Sequence, residues 1–366
     1  MNYSFKDFFA DLYREQGQKY AFCAGDEQEF MLWKEGFRNA LKDQLGLDVL
    51  ERIGIRGKGR APVLLFESRE EGYICRKYVL ETLPAVFMPF YMLIPDGGRA
   101  RAAMITIPAH GANKNTVCGI AENEEEAKKV REAPDECYGR VFAQKGYVVF
   151  CPDPPGYGER VEPMPLEETA FSGSKERTSL DCSCKDLAQT AEALGLSFTA
   201  LELWELQRLL DFACGCPEVL REEGGPLVGC AGFSGGGQYS MWLGAMDDRI
   251  RICVVSGYVH GYLDSLLDCH LCPCNYAPGL WKLGDISDIC SLIAPRPLFV
   301  ENGTEDVENG PLGIEGPKNQ VEKIKKAYQI FEKEDLPEHS TPKGPHRWYG
   351  GCYEFVDKYL VKLRNL

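Results

Sequence analysis

The chain has 366 residues, of which 44% are hydrophobic and 26% charged, and its formal net charge at pH 7 is −14. This composition is typical of a globular protein with a large core. The acidic excess repels phosphate backbones and anionic lipids, so neither nucleic acid nor a membrane is expected as a partner. The N-terminal stretch MNYSFKDFFADLYREQG lacks a cationic leader followed by an apolar run. We therefore expect a cytoplasmic protein.

Residues 1–60 are predicted to form a helical N-terminal extension that ends in the turn-like, basic stretch GIRGKGRAP. The remaining residues, 61–366, are predicted to form one catalytic domain. From residue 73 the pattern changes to two β-rich runs, YICRKYVLE and AVFMPFYMLIP, which predict an antiparallel pair of strands.

Near-continuous apolar runs then alternate with helical stretches. Strands that are apolar on both faces are typical of a parallel sheet covered by helices, so the fold class is predicted to be α/β with a mostly parallel central sheet. Helices are predicted at 196–213, at 321–334 and in YEFVDKYLVKL. Long irregular pieces at 111–137, 154–192 and 257–290 follow strand ends and are candidate walls of a site. The apolar runs are AAMITIP, YVVFCP, PLVGCAGF, RICVVSG and RPLFVENG.

The densest motif is GCAGFSGGGQYSMW, in which Ser234 is surrounded by four glycines. A predicted strand precedes it and a predicted helix follows it. A serine in that position is typical of a nucleophile elbow, where strand and helix pass so closely that the flanking residues must be small. A phosphate cradle is the alternative, but the motif lacks the lysine of a P-loop.

A serine nucleophile needs a histidine base and usually a carboxylate that orients it. Of the five histidines, His346 follows the last predicted strand and precedes the last helix, which favours it as the base. Asp306 follows the strand PLFVENG and is the favoured acid, with Glu301 and Glu305 as competitors. The expected oxyanion donors are the backbone N–H of Gly235 and a second N–H from the HGAN turn. That second donor is expected at Gly111 or Ala112.

Sixteen cysteines are many for a chain of this size. Several fall in predicted strands, where a small buried thiol packs well, so we expect reduced thiols and no disulfide framework. The strip CHLCPC holds Cys269, His270, Cys272 and Cys274. It could ligate zinc, but thiolate sites usually combine two pairs and this strip has no clear second half. Loop packing is therefore expected, with no metal and no cofactor.

Together these motifs resemble the α/β-hydrolase superfamily, and within it the branch of dienelactone hydrolases and acetyl xylan esterases. The resemblance covers residues 73–366 and is carried by HGAN, GYVVFCPDPPGYGER, GFSGGG and LIAPRPLFVENGTED before GPH. It implies hydrolysis of short-chain, acetyl-type esters through an acyl-serine, without a cofactor, and acetylated sugars as a substrate class. Dienelactone hydrolases proper use a cysteine nucleophile, so the serine argues for an esterase.

Three aromatic residues are candidates for stacking on a sugar ring, although such residues are more often core or rim. They are Tyr276, Trp281 and Trp348. The alternatives are a serine peptidase of the same fold, a non-catalytic binding protein of that fold, and a zinc module. The expected partner is a small ester, and the sequence leaves a homo-oligomer open.

Overall fold

The computed structural model describes residues 3–54, 61–98, 101–165 and 176–361. Within these ranges no helix is both long and apolar enough to cross a membrane. Most of the predicted turn GIRGKGRAP, and the predicted domain boundary after residue 60, lie outside the described residues.

A nine-stranded sheet forms the centre of the molecule, in the spatial order β1-β2-β3-β5-β4-β8-β9-β10-β11. The pairs within β1-β2-β3-β5 are antiparallel and all later pairs are parallel. Both the antiparallel pair and the mostly parallel sheet are thus confirmed. The strands are β1 (Val63–Glu70), β2 (Tyr73–Leu83), β3 (Val86–Pro95), β4 (Ala103–Ile107), β5 (Val148–Pro152), β8 (Val228–Phe233), β9 (Ile250–Ser256), β10 (Leu298–Glu301) and β11 (Glu338–Ser340), with a separate ribbon of β6 (Arg221–Glu222) and β7 (Gly225–Pro226).

The predicted apolar runs form the middle of this sheet. Every residue of β4, β5 and β8 is buried, as expected for parallel strands that are covered on both faces. The carboxyl ends of β4, β5 and β9 lead into the long connections that are predicted to be irregular, and that of β8 leads into the turn at Ser234. Side chains from distant parts of the chain therefore meet at one edge.

Helices cover the sheet on both sides. The predicted helix at 196–213 is α8, whose N-cap Ser197 accepts a hydrogen bond from the N–H of Ala200. Two helices, α4 and α5, lie inside the piece 111–137 that was expected to be irregular. The helices are α1 (Lys6–Gln16), α2 (Glu27–Leu45), α3 (Leu47–Ile53), α4 (Lys114–Val117), α5 (Glu124–Glu132), α6 (Tyr138–Gln144), α7 (Cys184–Ala193), α8 (Phe198–Gly215), α9 (Gly235–Met246), α10 (Leu267–Cys269), α11 (Ile286–Ser291), α12 (Glu315–Gln329) and α13 (Cys352–Val356).

The N-terminal helices pack on the same core as the sheet. Helix α2 begins at the N-cap Asp26 and buries an apolar stripe that includes Phe30, Phe37 and Leu41. These side chains and the buried apolar side chains of the strands form one continuous hydrophobic cluster. No element is predicted for residues 63–70, where β1 forms an exposed edge strand.

Candidate active site

Ser234 lies in the turn between β8 and α9, as the sequence predicts. Its backbone has φ 54° and ψ −121°, a strained conformation for a residue with a side chain. Its N–H donates to the carbonyl of Ser256 at 2.9 Å, and its carbonyl accepts the first helical hydrogen bond, from Gln238, at 2.9 Å. Hydrogen bonds to the neighbouring strand and to the helix therefore hold the strained residue in place.

The glycines around Ser234 are required by close backbone contacts. A Cβ on Gly232 would meet the backbone of Gly236, and one on Gly236 would meet the carbonyl of Ile107. The motif alone does not explain why residue 237 is glycine. The structure gives the same reason as for the other two, because a Cβ at Gly237 would lie 2.6 Å from the carbonyl oxygen of Ser256. The start of helix α9 can lie this close to the neighbouring strands only because the residues at these positions have no side chain.

His346 and Asp306 lie in direct contact. Nδ1 of His346 is 2.6 Å from Oδ2 of Asp306, and Oδ1 of the same carboxylate accepts the N–H of Glu308 at 2.8 Å. The other ring nitrogen, Nε2, is buried and has no hydrogen-bond partner among the described residues. The imidazole is therefore oriented through one nitrogen while the second is available to a proton donor.

Two loops that run side by side bring this pair together. The N–H of Thr304 donates to Pro342 at 2.9 Å and that of Glu305 donates to Gly344 at 2.8 Å, so the turn after β10 is bonded to the segment before His346. The Cβ of any residue at 303 would lie 2.6 Å from the carbonyl oxygens of residues 344 and 345, which explains the glycine there.

The two competing carboxylates have other environments. Glu301 is buried in β10, where it accepts the hydroxyl of Ser256 at 2.9 Å and the backbone N–H groups of Tyr349 and Gly351 at 3.0 Å. It anchors the loop that follows His346. The Glu305 side chain is exposed, whereas Asp306 is buried against the imidazole.

The electrostatics of the site favour a protonatable imidazole. Burial by itself would lower the pKa of His346, but the hydrogen bond to Asp306 and the charges of Glu308 and Asp306 outweigh it, and the pKa is raised above its usual value. By contrast, burial lowers the pKa of His260 to about 4 despite the charge of Asp306. Burial likewise lowers the pKa of His339 to about 4.

Ser234, Gly235 and His346 line a common cavity of about 370 Å³. Most of its other lining side chains are polar or charged, including Glu308, whose Oε2 lies 3.6 Å from Nε2 of His346. Glu308 is not among the site residues that the sequence predicts. In the sequence, Glu308 cannot be told apart from the acidic residues around it. The 3₁₀ turn Val307–Asn309 places its side chain towards the imidazole. The remaining lining residues are His110, Lys129, Glu136, Phe233, Tyr258, Leu271, Cys272 and Asn275.

The predicted oxyanion donors differ in their surroundings. Gly235 is the first residue of α9 and lines the cavity, so its N–H belongs to the unpaired first turn of a helix. The N–H of Ala112, however, donates to the carbonyl of Ala109 at 3.1 Å. Gly111 is then the remaining candidate of the two, and the second donor stays a prediction.

The three aromatic residues expected to contact a sugar lie elsewhere. Trp348 is 1% exposed and stacks on Tyr138 with ring centroids 4.5 Å apart, so it is a core residue. Tyr276 and Trp281 line a different cavity of about 460 Å³, together with α1 residues such as Phe9 and Tyr13. The expectation that these aromatics face the substrate is corrected, because the loop at 257–290 turns them towards α1.

Part of the CHLCPC strip meets other potential metal ligands at the edge of the Ser234 cavity. We name this set the thiol–imidazole cluster, and its donor atoms all lie within 4.8 Å of one another. Cys269 and His270 of the strip are not part of it. The members are His110, Cys184, Cys272 and Cys274.

Comparison with solved structures supports the fold. A provisionally assigned acetyl xylan esterase from Bacteroides fragilis superposes with a TM-score of 0.71 at 21% identity, over 93% of this chain and 83% of that chain. A methylesterase superposes with a TM-score of 0.67 at 18% identity, over 96% of this chain and 68% of the other. A glucuronoyl esterase from Solibacter usitatus gives 0.64 at 14% identity, over 96% and 97%.

Comparison with curated protein sequences gives no match. The model of the Abhydrolase family matches residues 6–261, which is more than half of the chain and includes the N-terminal helices. The central sheet, the turn at Ser234 and the order of the following segments are those of an α/β-hydrolase. The chain therefore belongs to the Abhydrolase family.

Proposed function

We propose that this protein is a serine carboxylic-ester hydrolase that works through an acyl-serine intermediate. The observation that carries the proposal is the His346–Asp306 pair at 2.6 Å, with its free Nε2, on the wall of the cavity that holds the strained Ser234. A partly buried imidazole that a carboxylate orients, on the wall of the cavity that also holds a serine on a nucleophile turn, is the arrangement that acyl transfer requires.

In the proposed mechanism, Nε2 of His346 takes the proton of the Ser234 hydroxyl as its oxygen attacks the ester carbonyl. Asp306 stabilises the imidazolium that forms, and the N–H of Gly235 donates to the developing oxyanion. The imidazolium then protonates the departing alcohol. Water repeats the sequence, and the acid is released with Ser234 restored.

The substrate is proposed to be a short, acetyl-type ester of a polar alcohol such as a sugar. The cavity is small, and its rim carries charged groups, among them Lys129 and Glu136, which are paired at 2.6 Å. A polar rim suits hydroxyl-rich alcohols better than long alkyl chains. The names of the structurally similar esterases also indicate carbohydrate esters, in agreement with the polar rim.

The test is the specificity constant kcat/KM for p-nitrophenyl esters of increasing acyl length and for acetylated xylose. We expect acetate to be the best acyl group and acetylated xylose to be hydrolysed. Ser234→Ala should abolish both activities, while Ser68→Ala on the edge strand β1 is the matched control and should retain them. Full activity in Ser234→Ala would overturn the nucleophile, and a strong preference for acyl chains beyond about eight carbons would overturn the substrate class.

The cellular compartment is proposed to be the cytoplasm. None of the sixteen cysteines takes part in a disulfide, and most of them are buried. Free thiols in this number are maintained in reducing compartments.

A further inference from the structure

We infer that the thiol–imidazole cluster binds one Zn²⁺ ion in a closed, four-ligand structural site. The four ligands come from three separate connections at the carboxyl edge of the sheet. His110 follows β4 and Cys184 begins α7. Cys272 directly precedes the 3₁₀ turn Pro273–Asn275 in the connection after β9, and Cys274 lies within that turn. One imidazole and three thiolates form a typical donor set for structural zinc.

The distances between donor atoms fit such a site. Nε2 of His110 lies 3.3 Å from Sγ of Cys184 and 3.4 Å from Sγ of Cys274. The sulfurs of Cys184 and Cys272 are 3.5 Å apart. Tetrahedral zinc with ordinary bond lengths places two sulfurs about 3.8 Å apart, and sulfur and nitrogen about 3.6 Å apart. Small movements would therefore suffice to enclose the ion.

A polar side chain supports one of the cluster sulfurs. Nδ2 of Asn275 donates to the sulfur of Cys274 at 3.6 Å. Asn275 would therefore belong to the polar shell that surrounds a metal-bound thiolate.

This inference revises the expectation drawn from the CHLCPC strip alone. The missing second half of the site is supplied by His110 and Cys184, which are far away in sequence. Zinc binding would release the thiol protons to solvent, and the ion would link the three connections that carry its ligands.

Zinc at Nε2 has a consequence for the neighbouring turn, and this consequence rests on the proposed function. A neutral imidazole bound through Nε2 carries its proton on Nδ1. Nδ1 lies 2.8 Å from the position that a Cβ on Gly235 would occupy. The metal would thus hold an N–H donor beside the start of α9, where an oxyanion is proposed to form.

The experiment is metal analysis of the purified full-length protein, followed by replacement of zinc with Co²⁺. We expect about one zinc per chain. The cobalt protein should show the sulfur-to-cobalt charge-transfer and strong d–d absorption of tetrahedral thiolate coordination. Cys184→Ser and Cys272→Ser should each lower the zinc content about tenfold or more and weaken this absorption. These readouts do not depend on ester hydrolysis.

Cys269→Ser is the matched control, because it lies in the same strip but donates to the carbonyl of Val307 at 3.5 Å. It should keep the full zinc content. A wild-type protein that binds neither zinc nor cobalt after reduction would overturn the inference, as would a disulfide between Cys184 and Cys272. Equal zinc loss in Cys269→Ser would also overturn it. If the ligand variants fail to fold, the stoichiometry and the cobalt spectrum of the wild type decide.

Discussion

The short contact between His346 and Asp306 makes the carboxylate a positioning group for the proposed base. Asp306→Asn should lower kcat by about 10³-fold to 10⁴-fold, because an amide favours the wrong tautomer of the imidazole. The exposed Glu305 is the matched control, and Glu305→Gln should stay near the wild-type rate. Steady-state kinetics on p-nitrophenyl acetate measures both. A normal rate in Asp306→Asn together with a loss in Glu305→Gln would show that the acid was wrongly chosen.

The pH dependence should report the charge environment of His346. The base must be neutral, so kcat/KM is lost as the pH falls through the pKa of His346, which is raised above its usual value. Glu308 contributes to that rise, since its carboxylate lies 3.6 Å from Nε2. Glu308→Gln should therefore move the acidic limb of the profile to lower pH.

Glu305→Gln gives the control profile, because the side chain of Glu305 is exposed to solvent. Its acidic limb should coincide with that of the wild type. A shift of the Glu308→Gln profile to higher pH would contradict the assigned electrostatics.

Ser234, His346 and Asp306 could be proposed from the sequence because each follows a recognisable strand in a fixed order. Glu308 could not, since its approach depends on one 3₁₀ turn. The choice between Gly111 and Ala112 as second oxyanion donor is also beyond sequence reasoning, because it depends on the hydrogen bond that the N–H of Ala112 makes within its own loop.

The start of helix α9 should tolerate no side chain at Gly237. Gly237→Ala should lower the free energy of unfolding by about 1–3 kcal/mol, because the new Cβ would press on the carbonyl of Ser256. Gly215→Ala at the end of α8, where a Cβ meets nothing within 4 Å, should be neutral or stabilising. Urea unfolding monitored by circular dichroism measures the difference. Equal stability of the two variants would contradict the proposed crowding.

The turn after β5 is held by a buried ion pair. Arg160 donates to both oxygens of Glu205, at 2.5 and 2.9 Å, and to the carbonyl of Asp153 at 3.1 Å. Arg160→Met should cost about 3–5 kcal/mol of unfolding free energy, because it leaves the Glu205 carboxylate buried and unpaired.

Arg131→Met is the control for this variant, since the pair of Arg131 with Glu124 is exposed. It should cost about 1 kcal/mol or less. Similar losses in the two variants, measured by urea unfolding, would contradict the structural role of the Arg160 pair.

The apolar runs predict the central strands well because burial on both faces leaves a strong signal. Helix α5, with the sequence EEEAKKVRE, was missed because it buries only one residue and carries almost no apolar stripe. Strand β1 was missed although its first residues are apolar, since it is an exposed edge strand that lacks the alternation of a half-buried one.

At the level of the whole molecule, the N-terminal helices and the sheet share one core. Phe37 on α2 is fully buried and stacks on Tyr20 with ring centroids 5.3 Å apart. Phe37→Ala should lower the free energy of unfolding by about 3–5 kcal/mol within a single transition. Leu32 lies on the same helix and its side chain is 65% exposed, so Leu32→Ala should change the free energy of unfolding by less than about 0.5 kcal/mol. Two separate unfolding transitions would contradict the shared core.

Contacts between distant segments are the part of the fold that the sequence does not reveal. The pairing of His110 with Cys184 and Cys274 depends on where three long connections end above the sheet. The separation of Tyr276 from Ser234 depends on the path of a single loop. Neither can be derived from spacing along the chain.

Labelling of the protein with a fluorophosphonate ester tests the proposed nucleophile most directly. Such a reagent traps an activated serine, and mass spectrometry of the digested protein locates the adduct. We expect one adduct, on the peptide that contains Ser234, forming in step with the loss of ester hydrolysis and absent from His346→Ala at the same exposure. Complete loss of hydrolysis with the adduct on another residue, or undiminished hydrolysis after full labelling of Ser234, would contradict the proposed mechanism.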